Sequence, residues 1–345
     1  MGLMPGNVYK MINIILIGAG KLGSRHLQSL SQVEIPDVSI IVIEPSQEAI
    51  AKAKMLLQDI PFNENVLSIK YFENLGELNI DEFHLAIVAT TSDHRKNIVI
   101  ELCHRFKIHN LILEKFLFQD EETYFQINEL LRSKKVNTWV NCPRRMWEFY
   151  KELKSRLEQS QILHFDVIGA NWSMATSAIH FVDLIAFLTG VKFYQIEHLD
   201  FGKKFVPAYS IITGPRESKY IEFYGSIQGK FKNSTSFNFT CLESEIPFTI
   251  SIKTNNEVIL IFEENCKCFV NTIDGEGKLN SLELPVIVEY QSQLTKKIAE
   301  QVLLSAESTL TTYQDSIELH LPLLKGYLDY LSDIKNEFTS VCPIT

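Results

Sequence analysis

The sequence predicts an α/β domain with a doubly wound parallel sheet, followed by an α+β domain whose sheet is mostly antiparallel and flanked by helices. Three observations predict this. Short apolar strands alternate with helices in the first third, a glycine-rich turn follows the first strand, and longer alternating strands dominate after Pro143. A chain of 345 residues also fits two domains better than one core.

The first third reads as strands separated by helices. Its strands are apolar on both faces, which is typical of a parallel sheet covered on both sides. The predicted elements are strand Asn13–Ile17, helix Leu22–Ser31, strand Ser39–Ile43, helix Gln47–Gln58, strand Leu85–Ala89, helix His94–Phe106, strand Asn110–Leu113, helix Glu121–Lys134 and strand Val136–Asn141.

Beyond about Pro143 the period-2 pattern of half-buried strands takes over. A helix interrupts the strands, and leucines at helical spacing mark a late helix at about 318–333, which we expect to pack back on the first domain. The predicted elements are helix Met146–Gln159, strand Ile162–Ala170, helix Ser177–Leu188 and strands Lys192–Leu199, Lys219–Tyr224, Thr235–Leu242, Phe248–Lys253 and Val258–Glu263. We place the domain boundary at 143/144.

Charge and composition exclude several classes of protein. With 33 Lys and Arg against 42 Asp and Glu, the formal net charge is -9, so we expect no nucleic-acid partner. Apolar stretches such as Leu85–Ala89 are far shorter than the roughly 20 residues that cross a bilayer, so we expect no membrane partner. Met1–Lys10 lack the pattern of a secretory signal, and the six cysteines form no evident disulfide framework. We therefore expect a cytoplasmic protein with reduced thiols.

A glycine-rich turn joins the first strand to the first helix. Gly18, Gly20 and Gly23 form Gly-x-Gly-x-x-Gly, in which the first glycine permits a tight turn and the second lets a pyrophosphate approach the backbone. The third allows close packing of helix on strand, and the N–H groups of that helix then bind the phosphates. The motif predicts a Rossmann dinucleotide-binding domain. Methyltransferases use a similar turn, so adenosylmethionine binding is an alternative.

The second strand ends in Glu44, 21 positions after Gly23. A carboxylate at this place accepts hydrogen bonds from the ribose hydroxyls of the adenosine and repels a 2′-phosphate. Glu44 therefore predicts NAD as the cofactor, with NADP less favoured, although Ser46 offers some help in accepting a phosphate. A solvated acid at a strand end is the alternative interpretation.

Lys115 follows strand Asn110–Leu113, at the edge of a parallel sheet where ligands bind. A partly desolvated lysine exchanges a proton with a substrate hydroxyl while hydride moves between carbon and nicotinamide. The alternative is a solvated lysine in a loop.

A second candidate cluster lies where strand Ile162–Ala170 runs into a helix. Thr176, His180 and Asp183 have spacings of four and three residues, which place them on one helix face. His180 is also compatible with a buried structural histidine. A metal would need a third ligand at useful spacing, and the sequence offers none, so we expect no metal site.

These residues resemble the Gfo/Idh/MocA oxidoreductases, the family of glucose–fructose oxidoreductase and inositol dehydrogenase, over nearly the whole chain. The resemblance lies in Gly18-Ala-Gly-Lys-Leu-Gly23, Arg25-His26-Leu27, Glu44-Pro45, Ala89-Thr90-Thr91-Ser92, Glu114-Lys115 and Ile179-His180-Phe-Val-Asp183-Leu. It implies a Rossmann domain at 1–143 and, at 144–345, a substrate domain that often mediates oligomerisation.

The resemblance also implies roles for residues. Lys115 corresponds to the catalytic lysine of the family's Glu-Lys-Pro motif and His180 to its active-site histidine. Cofactor contacts are implied for Gly18, Gly20, Lys21, Leu22, Gly23, Glu44, Thr90, Thr91 and Glu114.

Two positions depart from the family. Phe116 replaces the usual proline after the lysine, and Thr176 stands four residues before His180, where many members carry an aspartate that assists proton transfer. Threonine cannot titrate near neutral pH, so acid–base chemistry falls to Lys115, relayed through His180.

Four residues are candidate substrate contacts: Arg144, Asn171, Trp172 and Thr176. Arg144 can hold a carboxylate or phosphate bidentately, but it can equally form an interdomain salt bridge. Trp172 can stack on a sugar or nicotinamide face, or serve packing alone.

Together these features predict an NAD(P)-dependent oxidoreductase that acts on a secondary alcohol or ketone of a sugar, cyclitol or nucleotide sugar. Because Thr176 weakens the catalytic prediction, a catalytically silent dinucleotide-binding sensor is the rival. The second sheet needs a covered face, so we expect a homodimer or homotetramer.

Overall fold

The computed structural model describes residues 11–202, 205–207 and 220–345. Their contacts divide the chain into two compact units, each made of several segments. The first unit holds the described residues up to Glu114, together with Glu129–Trp139 and Tyr290–Thr309. The second holds Lys115–Asn128 and the described residues of 140–289 and 310–345. The single boundary at 143/144 stays a prediction, as does the packing of the late helix on the first domain.

Up to residue 141, helices separate most of the strands, as predicted. The elements are β1 Ile12–Ile17, α1 Lys21–Leu30, β2 Val38–Ile43, α2 Gln47–Gln58, β3 Val66–Phe72, a 3-10 turn Leu75–Glu77, β4 Glu82–Phe83, β5 Leu85–Val88, α3 Ser92–Arg105, β6 Lys107–Ile108, β7 Asn110–Glu114, α4 Glu121–Lys134 and β8 Asn137–Asn141.

The remaining elements are mostly strands. They are a 3-10 turn Pro143–Met146, α5 Glu148–Leu157, β9 Ile162–Ala170, α6 Met174–Thr189, β10 Tyr194–Asp200, β11 Phe205–Pro207, β12 Ile221–Phe223, β13 Gly225–Phe231, β14 Ser236–Leu242, β15 Thr249–Thr254, β16 Glu257–Phe262, a 3-10 turn Glu263–Asn265, β17 Lys267–Ile273, β18 Leu279–Pro285, α7 Gln291–Ser305, β19 Thr311–Thr312 and α8 Tyr313–Lys335.

The first unit is built on a sheet in which β3, β2, β1, β5 and β7 are neighbours in that order and run parallel. All residues of β2, β5 and β7 are buried, which explains why these strands are mostly apolar. Ile17 lies opposite both Ile43 and Val88. This register brings the carboxyl ends of β1, β2 and β5 together, and with them the loops that begin at Gly18, Glu44 and Ala89.

The second unit contains an eight-stranded sheet in the order β10-β13-β14-β9-β15-β16-β17-β18. All neighbours are antiparallel except β9 and β14, which run parallel. Alternate residues of β14, β15 and β16 are buried, as the period-2 pattern predicts. Helix α6 packs on the buried face, where the rings of Phe181 and Phe239 lie 5.9 Å apart. The predicted fold class is therefore confirmed in both units.

Some elements differ from the prediction. Helices α2 and α4 and strand β9 match it at both ends, and the late helix extends further, over Tyr313–Lys335. Helix α7, the longer strands β3, β13, β17 and β18 and the short strands β4, β6, β11 and β19 were not predicted. β3 has no fully buried residue, so its pattern lacks an apolar run. The start of the predicted strand Lys219–Tyr224 lies outside the described residues, and β12 covers only Ile221–Phe223.

Candidate active site

The glycine-rich turn has the geometry that a phosphate cradle needs. Gly18 has φ +92°, which favours glycine, and a Cβ on Gly23 would lie 1.9 Å from the carbonyl oxygen of Gly18. At Gly20, by contrast, a Cβ would meet no atom within 4 Å, so the backbone there faces open space. The three glycines therefore have the separate roles that the motif assigns to them.

Helix α1 begins at this open space. Gly20 is its N-cap, no side chain caps it, and its first turn carries no acidic residue. Lys21 and Leu22 are exposed beside it. The N–H groups of the first turn, and the positive end of the dipole of this ten-residue helix, are thus available to an anion.

Thr90 and Thr91 lie in the neighbouring loop between β5 and α3. The Thr90 hydroxyl oxygen is buried and has no hydrogen-bond partner among the described residues. Its methyl carbon would lie 3.3 Å from a Cβ on Gly18, so Thr90 borders the glycine turn. Thr91 is the N-cap of α3, although its side chain makes no capping hydrogen bond. An orphaned hydroxyl and an uncapped helix next to an open glycine turn fit a dinucleotide.

Glu44 is held against the same turn. Its Oε2 accepts a hydrogen bond from the N–H of Ala19 at 2.7 Å, and its Oε1 accepts one from the N–H of Ser46 at 2.9 Å. The structure thus gives Glu44 a role in fixing the glycine loop, which the sequence did not reveal. A carboxylate has about four acceptor positions, so two remain for ribose hydroxyls.

Glu114 is buried and faces a histidine. Its Oε1 lies 2.9 Å from Nε2 of His26, and Nδ1 of His26 lies 2.9 Å from the hydroxyl of Thr295 on α7. This chain of contacts joins β7, α1 and α7 within the first unit. The predicted cofactor contact of Glu114 stays a prediction. The structure shows its contact with His26, a residue within the predicted first helix.

Lys115 follows Glu114 in the chain and belongs to the second unit. Its Nζ donates a hydrogen bond to the carbonyl oxygen of Thr176 at 3.1 Å, which joins two residues that come from separate motifs. The Lys115–Phe116 peptide bond is cis. The Thr176 side chain is buried, and its hydroxyl donates to Oε1 of Glu222 at 2.8 Å. Its predicted role as a substrate contact remains untested.

His180 lies one helical turn after Thr176 on α6. Its Nδ1 is buried and has no hydrogen-bond partner among the described residues. Burial lowers the pKa of His180 well below its ordinary value, and the charges of Lys115 and Arg144 and the nearby His320 lower it further. His180 therefore carries a neutral imidazole at neutral pH, with one ring nitrogen available to a ligand.

Arg144 is engaged by an acid of its own unit. Its Nε and Nη2 donate to the two carboxylate oxygens of Glu263 at 2.8 and 2.7 Å, and Tyr150 donates to the same carboxylate. The guanidinium also lies over the ring of Phe181, 4.5 Å from its centre. Arg144 therefore forms a salt bridge within the second unit, and the interdomain salt bridge expected as the alternative is wrong. Binding of substrate by Arg144 stays a prediction. A substrate would have to compete with Glu263 for the guanidinium.

The other two predicted substrate contacts lie at the start of α6. The indole N–H of Trp172 donates to the carbonyl of Thr240 at 2.8 Å, and its ring packs edge-on against Phe181 and Phe248. Asn171 is exposed and accepts a hydrogen bond from the hydroxyl of Tyr224. Trp172 therefore has a packing role, whereas Asn171 lies at the surface.

Asp183, which lies on the same face of α6 as His180, binds Arg145 and Thr311. Two guanidinium nitrogens of Arg145 donate to its carboxylate at 2.8 and 2.9 Å, and the hydroxyl of Thr311 also donates to it. Among the residues that the structure describes, no group of three His, Cys, Asp or Glu side chains could hold a metal ion.

Two acids of this site, Glu222 and Glu263, were missed by sequence reasoning. Glu222 lies in the short, fully buried strand β12, and Glu263 directly follows β16. In sequence each acid looks like an ordinary residue of a predicted strand. Only the fold brings Glu222 to Thr176 and Glu263 to Arg144, so no local pattern could have identified the two acids.

A comparison with protein families finds a match for the first part of the chain. Residues 12–142 match the model of GFO_IDH_MocA, described as an oxidoreductase family with an NAD-binding Rossmann fold. Over these residues the chain is similar to that family. The resemblance predicted from the sequence is confirmed over these residues, and the glycine turn lies in the part of the chain that matches an NAD-binding Rossmann fold.

Solved structures resemble the chain over nearly its whole length. An oxidoreductase of Desulfitobacterium hafniense, proposed to depend on NADPH, is 11% identical, with 96% of this chain and 97% of that chain covered and a TM-score of 0.70. The UDP-N-acetylglucosamine 3-dehydrogenase GnnA of Acidithiobacillus ferrooxidans is 11% identical, with 92% and 96% covered and a TM-score of 0.65. A super-repressor mutant of Gal80p of Saccharomyces cerevisiae is 15% identical, with 96% and 98% covered and a TM-score of 0.66.

At these identities the likeness establishes a shared fold alone. Among curated proteins, no sequence matches this chain. Of the helices in the described part of the chain, none is both long enough and apolar enough to cross a bilayer.

Proposed function

We propose that this protein is an NAD-dependent oxidoreductase that transfers a hydride between nicotinamide and a secondary alcohol or ketone of a sugar, cyclitol or nucleotide sugar. One observation carries the proposal. The Lys115 amine is held on the Thr176 carbonyl at 3.1 Å, one helical turn before a neutral His180 whose Nδ1 has no partner in the described chain. Such a pair of groups suits proton exchange with a hydroxyl.

The residues of the second unit then have distinct tasks. Lys115 takes the hydroxyl proton when the alcohol is oxidised and returns it in the reverse direction. His180, neutral because of its surroundings, donates or accepts one hydrogen bond that orients the reacting oxygen. A bound nicotinamide supplies the hydride acceptor or donor.

The residues of the first unit would hold the cofactor. The N–H groups at the start of α1, with Gly18, Gly20, Lys21, Leu22 and Gly23, would bind the pyrophosphate. The free acceptor positions of Glu44 would bind the ribose hydroxyls, and its charge disfavours a 2′-phosphate. We therefore propose NAD rather than NADP, with Thr90, Thr91 and Glu114 as further contacts.

The substrate class rests on the chemistry of the second unit. Asn171 is exposed and carries an amide that suits sugar hydroxyls, and Arg144 would suit an anionic group if it were released from Glu263. Trp172 and Thr176 complete the proposed contacts. One protein of the same fold is named as a UDP-N-acetylglucosamine dehydrogenase, which supports testing nucleotide sugars first.

The proposal is tested in two steps. The nucleotide that copurifies with the protein, or that is captured from a mixture of NAD and NADP, is identified by mass. The protein is then mixed with NAD and a panel of sugars, cyclitols and nucleotide sugars while the near-ultraviolet absorbance of reduced nicotinamide is followed. NAD binding with a substrate-dependent rise supports the proposal, and failure to bind either dinucleotide refutes it.

A catalytically silent dinucleotide sensor is the second candidate. The Thr176 hydroxyl is bound to Glu222, and Thr176 itself has no titratable group. The fold is shared with Gal80p, studied as a super-repressor mutant. Tight NAD binding with no absorbance change across the whole panel would favour the sensor.

We also propose a homodimer or homotetramer in the cytoplasm. One face of the second sheet carries exposed apolar side chains, at Leu242, Val258, Ile273 and Leu279. A partner subunit would cover such a face. Light scattering that gives a monomer at micromolar concentration would contradict this part of the proposal.

A further inference from the structure

A buried carboxylate of the second unit is connected to Lys115 through one residue of α6. Glu222, in the middle of β12, has no exposed surface. Its Oε2 accepts a hydrogen bond from the N–H of Ala175 and its Oε1 accepts one from the hydroxyl of Thr176, both at 2.8 Å. Both donors belong to the first turn of α6, whose N-cap Ser173 provides no side-chain cap. Glu222, which lies on strand β12, therefore caps the N-terminus of helix α6.

Thr176 connects this carboxylate to the lysine. Its hydroxyl donates to Glu222, while its carbonyl accepts the hydrogen bond from Nζ of Lys115 at 3.1 Å. The carboxylate and the ammonium thus hold opposite ends of one residue. Glu222 and Lys115 therefore both bind the first turn of α6, and His180 lies four residues after Thr176 on the same helix.

The carboxylate of Glu222 also places a negative charge in a desolvated part of the second unit. Cys241 is raised in pKa to about 11, mainly by burial, and the negative charge of Glu222 contributes in the same direction. Burial and the same charge also raise the pKa values of Tyr327, Cys342 and Tyr224. The titratable groups around His180 on other elements are Lys115, Arg144 and His320. In so desolvated a cluster, a charge acts strongly on its neighbours.

We propose that Glu222 is a positioning residue of the Lys115 site, which holds the lysine through Thr176 and stabilises its ammonium form with a buried negative charge. This inference rests on the proposed function, in which Lys115 exchanges a proton. Thr176 cannot ionise near neutral pH, and Glu222 brings a carboxylate to its hydroxyl. A carboxylate that acted only as a helix cap would fix α6 without affecting the proton balance of Lys115.

The test measures the proton balance of Lys115 directly. The protein, without cofactor or substrate, is labelled with an amine reagent over a range of pH, and the labelling of Lys115 is followed by mass spectrometry of its peptide. In E222Q we expect the pH midpoint of Lys115 labelling to fall by about one pH unit, because an opposite charge is removed. The exposed Lys52, which pairs with Glu48, is the internal control and should keep its midpoint.

Thr176 offers a matched pair of variants. In Thr176→Val the hydroxyl that binds the carboxylate is lost, which favours the neutral carboxyl, so the Lys115 midpoint should also fall. Thr176→Ser keeps the hydroxyl and should keep the midpoint. Thermal unfolding checks that each variant is folded, and if E222Q does not fold, the Val and Ser pair decides the question.

An unchanged Lys115 midpoint in E222Q and in Thr176→Val would overturn the inference. A fall in both, with Thr176→Ser like the parent, supports it. Because labelling needs no cofactor and no alcohol, its outcome does not depend on the substrate panel. A shifted midpoint in a protein that oxidises nothing would uphold the coupling and refute only the proposed function.

Discussion

Gly20→Ala separates cofactor binding from the stability of the fold. Gly20 is the N-cap of α1 with φ -64° and ψ -162°, a backbone conformation that alanine also adopts. Its Cβ would have no neighbour within 4 Å. Because alanine is a weaker N-cap than glycine, we expect a loss of about 0.5–1 kcal/mol of unfolding free energy, or about 1–4 °C in melting temperature.

The same methyl group projects where the pyrophosphate would approach the backbone. Overpacking by one carbon costs about 1–3 kcal/mol, which corresponds to a Kd for NADH raised about 5- to 150-fold. Fluorescence titration with NADH gives the Kd, and thermal unfolding gives the stability.

Two further glycines serve as controls. Gly275→Ala adds a methyl group that also meets no atom within 4 Å, and it should change neither quantity. Gly23→Ala puts a Cβ 1.9 Å from the Gly18 carbonyl oxygen, so it should lower both stability and affinity. A Gly20→Ala variant that binds NADH as tightly as the parent would refute the assignment of the phosphate cradle.

Three more predictions concern the second unit. Arg144→Met should lower the free energy of unfolding by about 3–5 kcal/mol, because it leaves the Glu263 carboxylate buried without its cation. Replacing both residues with Met should restore most of that loss, and denaturant unfolding that shows no recovery would contradict the pairing. The lowered pKa of His180 means that the unfolded chain binds a proton more readily, so stability should decrease as pH falls below 6.5. His180→Gln should flatten this slope in unfolding measured at about pH 7.5 and about pH 5.5, and an unchanged slope would show that His180 is not its source. Burial raises the pKa of Cys103, Cys241 and Cys268 to about 11, whereas Cys266 is exposed. A disulfide reagent at about pH 8 should therefore react quickly with one thiol. The Cys266→Ser variant should lose this fast reaction.

Local sequence patterns were sufficient to predict most of the fold. The buried strands β1, β2 and β5 have continuous apolar runs, and α2 begins at a serine whose side chain caps it. Strand β3 and helix α7 gave weaker signals. β3 is half-exposed throughout, and the contact of α7 with His26 through Thr295 links residues that are far apart in sequence.

The site was predictable only where it lies on motifs. Lys115 and Thr176 were singled out separately, and the structure brings them together at 3.1 Å. Glu222 could not be found, since its importance comes from a long-range contact and its residue type is ordinary in a strand. Glu263 was missed for the same reason, and its pairing with Arg144 changes the expected behaviour of that arginine.

The central claim is that Lys115 exchanges the hydroxyl proton during hydride transfer, and Lys115→Met tests it most directly. Stopped-flow absorbance of reduced nicotinamide, with the alcohol found in the substrate panel, measures the rate of hydride transfer, while a parallel titration measures NADH affinity. For Lys115→Met we expect unchanged NADH affinity and a rate of hydride transfer reduced about 100- to 10,000-fold. The control variant Lys52→Met should behave like the parent in both measurements. A Lys115→Met protein that binds NADH normally and transfers hydride at the parent rate would contradict the account.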